Sequence, residues 1–254
     1  MERRIDAVEL LDGPLDDQAG LVGNLRDLGR INRRLGGIGL TAAAIEALAA
    51  HRDDVTLLDV GTGAADIPLA LIARARARGR RLHAVGIDSR PEVLAAAIRL
   101  DPTITIEREL ELHVGDGRAL TYPDRSFDIA HASLVLHHLD PAGAIALLAE
   151  MRRVARLGVV INDLERTRLG WIGAWLISHL LTGNRLTRHD APLSVRRAYR
   201  ATEMASMLRA AGLVPVRTVR GAFGQRYAIA AVGRSATADE PGGRQLDPHG
   251  AVDP

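Results

Sequence analysis

Apolar residues are distributed along this chain in two alternating patterns. Some segments are short, nearly continuous apolar runs, whereas others carry apolar side chains at every third or fourth position, as one face of a helix does. The runs predict five strands: Val55–Val60, Leu82–Asp88, Glu111–Gly115, Phe127–Leu134 and Leu157–Leu164. The helical pattern occupies the segments Asp66–Gly79, Pro91–Leu100 and Pro141–Ala155. Strands that alternate with helices in this way are typical of a parallel sheet covered on both faces.

The regions on either side divide the chain into a central unit and additions. Residues 1–36 contain an amphipathic helix and are predicted to form an N-terminal helical cap, followed by a helix over Thr41–Ala50. The central unit spans residues 37–233 and is interrupted by an insertion at residues 165–200. Its last elements are a helix and two strands, predicted over Thr202–Ala211, Leu213–Arg220 and Arg226–Gly233. Residues 234–254 are polar and rich in Pro and Gly, so we expect a disordered tail.

A glycine turn follows the first predicted strand, in the sequence Asp59-Val60-Gly61-Thr62-Gly63. Glycines in such a turn let backbone N–H groups approach a ligand closely. The dinucleotide fingerprint G-x-G-x-x-G requires a third glycine, and Asp66 stands at that position here. The acid at Asp59, two residues before the first glycine, suits a ligand that carries an ammonium and a carboxylate group rather than a pyrophosphate.

Further acids follow the next two predicted strands. Asp88 ends the second strand, where an acid accepts hydrogen bonds from ribose hydroxyls, and Ser89 follows it. An acid at this position could bind the ribose of NAD or of S-adenosylmethionine equally well. The residue could also cap the helix that starts near Pro91. Asp116 and Gly117 form a turn after the third strand, where the acid could bind a ligand or cap a helix.

Taken together with Phe127-Asp128 and Leu136-His137-His138, these motifs resemble the class I S-adenosylmethionine-dependent methyltransferases. The resemblance is to the broad group that includes the ubiquinone and menaquinone C-methyltransferases. It covers residues 37–163 well and residues 202–233 more loosely. It implies a doubly wound α/β fold: a seven-stranded Rossmann-like sheet, mostly parallel with an antiparallel edge strand, plus a helical cap and lid. In this family the last two strands form a hairpin, which Gly221–Gly224 could connect.

The resemblance also implies that S-adenosylmethionine is the cofactor and suggests which residues bind it. The glycine turn would wrap the methionine part, with Asp59 orienting the turn and the cofactor's amino group. Asp88 and Ser89 would bind the ribose, and Asp116 and Gly117 the adenine. The predicted cofactor-binding residues are Asp59, Gly61, Thr62, Gly63, Asp88, Ser89, Asp116, Gly117 and Ser133.

The candidate catalytic residues are His137 and His138, which follow the fourth predicted strand. A phenol with a pKa of about 10 reacts faster in methyl transfer when a histidine beside its hydroxyl accepts the proton. Alternatively, the pair is structural and bonds to the backbone at the end of the strand. No metal site is predicted, because adjacent histidines do not easily share one ion and no third ligand is spaced nearby.

The insertion is expected to determine the specificity for the methyl acceptor. Residues 169–181 are apolar on nearly every face, and the substrate-binding candidates in the insertion are Trp171, Trp175, His179 and His189. The segment is too short to span a bilayer, so it is a buried lid helix, an interfacial helix that contacts a membrane, or part of the core. Residues 188–199 resemble a stretch in bacterial methyltransferases, some of which we associate with phenolic-lipid or polyketide pathways, and this points to secondary metabolism by analogy.

Composition narrows the function classes. The chain contains 33 basic side chains and no lysine, so every basic side chain is arginine, which excludes Schiff-base lysine chemistry and a P-loop lysine. Basic residues are dispersed and aromatic residues make up 3% of the chain, which argues against nucleic-acid binding. The absence of cysteine excludes disulfides and thiolate metal sites. With no apolar leader and no apolar run of about 18 residues, we expect a soluble cytoplasmic protein.

The sequence therefore predicts an S-adenosylmethionine-dependent methyltransferase that acts on a small apolar acceptor, such as a phenol, quinone, polyketide or lipid-like molecule. O-methylation is slightly favoured, and C-methylation of a quinone-type ring is the alternative. A non-catalytic S-adenosylmethionine-binding protein is a second class of function. An NAD-dependent oxidoreductase is disfavoured by Asp66 and by the absence of a tyrosine–lysine pair.

Overall fold

The computed structural model of the protein describes residues 4–14 and 16–234. The strands are β1 (Asp54–Val60), β2 (Arg81–Asp88), β3 (Leu110–Val114), β4 (Phe127–Ser133), β5 (Ala155–Leu164), β6 (Leu213–Arg220) and β7 (Arg226–Gly233). The first helices are α1 (Gln18–Arg34), α2 (Gly37–Ala49), α3 (Asp66–Arg76) and α4 (Pro91–Leu100). They are followed by α5 (Pro141–Val154), α6 (Arg168–Leu180), α7 (Arg185–Arg197) and α8 (Ala201–Ala210).

All seven strands form one sheet in the order β3-β2-β1-β4-β5-β7-β6. Strands β1 to β5 pair in parallel, and β7 runs antiparallel to both β5 and β6. This confirms the predicted doubly wound, seven-stranded Rossmann-like sheet with its antiparallel hairpin at one edge. The strand order reverses between β1 and β4. In open α/β sheets, ligands bind in the crevice beyond the carboxyl ends of the strands at such a point.

Two layers of helices cover the sheet because successive side chains of a strand point to opposite faces. The neighbours Leu57 and Leu58 of β1 are both fully buried but belong to different apolar clusters. Leu58 packs in the cluster that contains α5 and α8. Leu57 packs in the cluster that contains α2 and α3. Burial on both faces explains why the central strands read as continuous apolar runs rather than as alternating patterns.

The helix boundaries differ from the predicted ones mainly at α2 and α3. Helix α2 begins at Gly37 rather than Thr41, because Gly36 adopts a left-handed conformation (φ +89°) that turns the chain directly from α1 into α2. Helix α3 ends at Arg76 instead of Gly79, with Gly79 in a left-handed turn. These turns use the freedom of glycine at positive φ.

The additions pack against the central unit. Helix α1 packs on α4, with Leu21 and Leu25 in one apolar cluster with Val93 and Ala96. The insertion consists of α6 and α7, which pack against each other. The predicted tail, residues 234–254, lies outside the described residues from residue 235 onward. Within the described ranges, no helix has the length and hydrophobicity that a bilayer span requires.

Candidate active site

The glycine turn after β1 lies at the switch point and has the geometry of a ligand cradle. Gly61 and Gly63 adopt positive φ angles of +68° and +55°. A Cβ on Gly61 would stand 2.4 Å from a methyl carbon of Val135, whereas a Cβ on Gly63 would meet open space. Gly61 is therefore required for the packing of the turn. Gly63 leaves room above the turn, where a ligand can approach the backbone.

Asp59 stabilises this turn by a buried hydrogen bond. Its side chain is buried, and its Oδ2 accepts a hydrogen bond of 2.8 Å from the hydroxyl of Thr62. Its Oδ1 lies 2.6 Å from Nδ1 of His131, a fully buried residue of β4. Asp59 thus fixes the turn through Thr62 and is itself oriented by His131. Sequence reasoning did not select His131, although a histidine inside an otherwise apolar strand is the signal that could have found it.

A chain of buried polar side chains continues from His131 to the far strands. Nε2 of His131 lies 3.1 Å from the hydroxyl of Thr41, which also accepts a 2.8 Å hydrogen bond from the amide of Asn162 in β5. The same amide donates to the carbonyl oxygen of Gly37 at 2.7 Å. Helix α2 is therefore fastened to β4 and β5 beneath the glycine turn.

Arg226 of β7 completes this polar layer and is fully buried. Its guanidinium donates to Oδ1 of Asn162 at 2.6 Å, to Oδ1 of Asn32 at 2.9 Å and to the hydroxyl of Ser133 at 2.8 Å. Asn32 in turn donates to Asp66 at 3.1 Å. Burial lowers the pKa of Arg226 to about 10, and burial raises the pKa of Asp66 above its ordinary value. The predicted cofactor residue Ser133 thus contacts a buried arginine that no local pattern had marked.

Asp88 stands beside the glycine turn at the end of β2. Its Oδ2 accepts from the backbone N–H of Gly63 at 3.2 Å, and its Oδ1 from that of Arg90 at 3.1 Å. Each carboxylate oxygen can accept a further hydrogen bond. Burial raises the pKa of Asp88, while the two backbone donors favour its charged form. Ser89 is exposed next to it. The geometry suits recognition of a ribose diol.

The predicted adenine residues lie in the turn after β3. Asp116 is exposed, and Arg118 donates to its Oδ2 through the guanidinium at 2.9 Å and to its Oδ1 through the backbone N–H at 2.9 Å. These bonds hold the pKa of Asp116 below its ordinary value. A Cβ on Gly117 would stand 2.4 Å from Val60 and 2.6 Å from Leu147. Gly117 therefore brings this turn close to the end of β1.

The histidine pair lies in a short 3₁₀ turn just after β4. His137 is buried, and its Nδ1 lies 2.7 Å from Oδ1 of Asp163 at the end of β5. The backbone N–H of His137 also donates to this carboxylate at 3.2 Å. Although burial disfavours the charge of Asp163, the interaction with His137 keeps its pKa below the ordinary value. His137 is thus oriented by a buried acid rather than by backbone alone.

His138 and the N-terminal segment meet at the same place. Nδ1 of His138 lies 2.7 Å from Asp12, and Nε2 lies 3.9 Å from Glu9. Glu9 is buried and also lies 3.9 Å from Nε2 of His137. Burial raises the pKa of Glu9 to about 7. The sequence-based argument that no third ligand lies near the pair is therefore wrong, because the fold brings Glu9 there from the N-terminus.

The four candidates in the insertion separate into two groups. Nδ1 of His189 lies 2.7 Å from Asp190, whose carboxylate accepts the backbone N–H groups of Leu10 and Leu11. His189 therefore adjoins the segment that carries Glu9. Trp171, Trp175 and His179 lie on α6, where the rings of Trp175 and His179 stack at 4.6 Å. Nδ1 of His179 contacts the carbonyl oxygen of Trp175 at 2.8 Å, so this side chain bonds within its own helix.

Comparison with known proteins assigns a class to the central part of the chain. Residues 57–158, which include the glycine turn, Asp88, Asp116 and the histidine pair, match the model of a family described as a methyltransferase domain. No curated protein matches the chain significantly.

Solved structures share the fold. A S-adenosylmethionine-dependent methyltransferase from Aquifex aeolicus is 19% identical, with a TM-score of 0.59 over 83% of this chain and 97% of that one. Human N-acetylserotonin methyltransferase, in complex with S-adenosylmethionine, is 16% identical and has a TM-score of 0.65. The match covers 91% of this chain and 61% of that one. An O-methyltransferase family 2 protein from Planctomyces limnophilus, in complex with apigenin, is 19% identical and has a TM-score of 0.60. The match covers 86% of this chain and 62% of that one. This chain thus spans just under two thirds of the latter two.

Proposed function

We propose that this chain, which is a class I S-adenosylmethionine-dependent methyltransferase, methylates a hydroxyl group of a small apolar, aromatic acceptor. The predicted enzyme class and cofactor agree with the match of residues 57–158 to a methyltransferase domain and with the fold shared with S-adenosylmethionine-dependent methyltransferases. The relation to the quinone C-methyltransferases stays a prediction. The acceptor and the methylated atom are proposals, as are the roles of individual residues.

The geometry of the site supports the proposed cofactor roles. The open space at Gly63 gives backbone access for the methionine part, and Asp88 has free acceptor capacity for the two ribose hydroxyls. Asp59 keeps the turn in place through Thr62. When bound, S-adenosylmethionine supplies a methyl group already activated by its sulfonium. The protein's task is then to align the acceptor, exclude water and help the hydroxyl to ionise.

One observation carries the proposal for a hydroxyl acceptor: a buried polar cluster directly after β4. His137, with Asp163 at 2.7 Å, lies in the turn whose Val135 packs against Gly61, so the cluster adjoins the cofactor cradle. A positioned polar group that favours the ionised acceptor accelerates attack by a phenolic oxygen. Two structures of similar fold support the acceptor class, since their names specify apigenin and N-acetylserotonin, which are aromatic molecules.

The first test is a calorimetric titration with S-adenosylmethionine, S-adenosylhomocysteine and NAD, followed by turnover assays with phenols, quinols and polyketide lipids. We expect binding of the first two ligands and a phenol product that is heavier by one methyl group on oxygen. The variant Asp88→Asn, which should bind S-adenosylmethionine more weakly, serves as the control for the dependence of turnover on the cofactor. Transfer to a ring carbon would establish the C-methyltransferase alternative. Cofactor binding without turnover on any of these acceptors would establish the non-catalytic alternative and refute the proposal.

We further propose that α6 places the protein against a membrane surface from which a lipid-like acceptor enters. Its outer side exposes large apolar residues: Leu180 is 73% exposed, and Leu181, directly after the helix, is 72% exposed. Phe223, in the turn between β6 and β7 that contacts α6, is 91% exposed. Residues 166–189 contain no acidic residue, and their exposed arginines are Arg168, Arg185 and Arg188. An apolar surface flanked by arginines suits anionic lipid headgroups.

Vesicle co-sedimentation tests this contact. We expect binding to vesicles that contain phosphatidylglycerol and much weaker binding to pure phosphatidylcholine. Leu180→Asp should abolish sedimentation. Ile106→Asp is the matched control, because Ile106 is similarly exposed (77%) but lies between α4 and β3. Equal sedimentation of the two variants, or none for the unmodified protein, would refute the membrane contact.

A further inference from the structure

Glu9, His137 and His138 place one carboxylate and two imidazole groups at a common point. Their ligand atoms all lie within 4.8 Å of one another, and the carboxylate of Glu9 is 3.9 Å from Nε2 of each ring. Two histidines and one carboxylate are an established ligand set for zinc and for other first-row metals. We propose that these three residues bind a divalent transition-metal ion, which fastens the N-terminal segment over the cofactor edge of the sheet.

The orientation of both rings supports this site. Nδ1 of His137 lies 2.7 Å from Asp163, and Nδ1 of His138 lies 2.7 Å from Asp12. A histidine that binds a metal through one nitrogen donates its other N–H to a carboxylate or carbonyl, which fixes the tautomer and ring orientation. If Nδ1–H is donated to the carboxylate in both rings, the Nε2 atoms, each 3.9 Å from Glu9, are left to bind a metal. The two rings converge although the residues are adjacent, with centroids 4.3 Å apart.

Glu9 lacks a hydrogen bond that its burial requires. The residue is 3% exposed, and its Oε1 is buried without a hydrogen-bond partner. Arg197 stands 3.5 Å from this oxygen, in a geometry that makes no hydrogen bond. A buried carboxylate oxygen without a hydrogen bond is costly, and buried charges are paired or coordinate metals. A cation bound between Glu9 and the two rings would satisfy this oxygen.

The charge around the site favours a cation. The carboxylates of Glu9, Asp12 and Asp163 lie beside the histidine pair, and that of Asp190 acts on Glu9. Three guanidinium groups oppose these four carboxylates, and one of them is Arg226, which acts on Asp163. Arg4 donates to the carbonyl oxygens of residues 137 and 139, and Arg197 pairs with Asp12 at 2.5 Å. The carboxylates around the site therefore outnumber the guanidinium groups, which favours a bound cation.

A bound ion would connect the N-terminal segment to the cofactor site. The segment that carries Glu9 also receives hydrogen bonds from Arg90, whose guanidinium donates to the carbonyl oxygens of Leu11 at 3.0 Å and Gly13 at 2.7 Å. The backbone N–H of Arg90 donates to Asp88. The segment therefore lies between the histidine pair and the predicted ribose site, and fixing it at Glu9 should stabilise that edge.

The test is metal binding by the untagged chain of 254 residues after treatment with a chelator. We expect one equivalent of Zn²⁺ to bind with micromolar or tighter affinity, and to raise the unfolding temperature. Co²⁺ should give the visible absorption of a site with nitrogen and oxygen ligands. Glu9→Gln and His138→Gln should each lower the Zn²⁺ affinity at least 100-fold. His138 is half-buried, so its variant is expected to fold even where that of Glu9 does not.

His113→Ala is the matched control, because Nε2 of His113 also lies close to a carboxylate, 3.5 Å from Glu111, but on the surface of β3. We expect its Zn²⁺ affinity to equal that of the unmodified protein. The proposal would be overturned if the chelator-treated protein bound no Zn²⁺, or if His138→Gln bound it as tightly as His113→Ala. Because the readout is binding of the metal alone, this result is independent of the acceptor assay.

Discussion

Nδ1 of His131 lies 2.6 Å from the carboxylate of Asp59, beneath the turn that carries Gly61 and Gly63. Both residues are buried on neighbouring strands, directly opposite each other in the register of β1 and β4. The pair joins the cofactor turn to the polar layer that runs through Thr41, Asn162 and Arg226. The proposed cofactor cradle is therefore held by a buried hydrogen-bond network rather than by the glycine turn alone.

Replacing His131 should destabilise the protein. His131→Phe leaves the Asp59 carboxylate buried with Thr62 as its remaining side-chain partner, and depriving a buried carboxylate of a hydrogen-bond partner costs about 3 kcal/mol. We expect the free energy of unfolding, measured by urea denaturation, to fall by this amount. His83→Phe is the control, since His83 lies exposed on β2 and should change stability by less than about 0.5 kcal/mol. Equal losses for the two variants would contradict the role of the pair.

The two glycines of the turn should respond differently to alanine. Both have positive φ, which costs an alanine about 1 kcal/mol at either position. Gly61→Ala also places its Cβ 2.4 Å from Val135, so overpacking adds about 1–3 kcal/mol. Gly63→Ala meets open space, so it should retain more stability but bind S-adenosylmethionine more weakly. Thermal unfolding and calorimetric titration measure the two effects. If Gly61→Ala proved more stable than Gly63→Ala, the close packing of Val135 against Gly61 would be contradicted.

Cofactor affinity should depend on pH through Asp88. Burial raises the pKa of Asp88 above its ordinary value of 3.8, so the folded protein retains this proton at pH values where the unfolded chain has lost it. Protonation removes acceptor capacity, and affinity for S-adenosylmethionine should therefore fall as pH decreases through this raised pKa. The same shift makes the folded state less stable as pH rises from 3.8 through the raised value.

Calorimetric titrations between about pH 4.5 and 7 measure the dependence on Asp88. Asp88→Asn should bind at least about tenfold more weakly at pH 7, a loss of about 1.4 kcal/mol, and should have a flatter pH profile. An unchanged affinity for this variant would remove Asp88 from the ribose role.

Arg226 should be among the most sensitive positions of the fold. Arg226→Met leaves Asn162, Asn32 and Ser133 without their shared donor, and we expect a loss of about 3–5 kcal/mol in the free energy of unfolding. Arg226→Lys cannot reproduce the three-way contact of a planar guanidinium and should recover only part of this loss. Arg220→Met is the control on the same hairpin. Its ion pair with Glu165 is half-exposed and contributes at most about 1 kcal/mol. A similar loss for both methionine variants would refute the special role of Arg226.

The sequence by itself determined the order of strands and helices, and it predicted which edge of the sheet binds the cofactor. Buried parallel strands read as apolar runs, and the acids and glycines that end them are local signals, so β2 and the turn at Gly61–Gly63 were predicted from short segments. The Gly221–Gly224 connection was likewise visible, because β6 and β7 are adjacent in the chain and pair as a hairpin.

Only the tertiary structure decided which polar side chains meet. Arg226, Asn32 and Ser133 are far apart in the chain, and each looks unremarkable in its own segment, yet the fold buries them in one network. The same holds for Glu9, which reaches the histidine pair from a segment with no local signal. Local patterns report the hydrophobic face of an element, whereas the partners of buried polar groups depend on long-range packing. Burial then requires those groups to be paired, and the fold selects the partners.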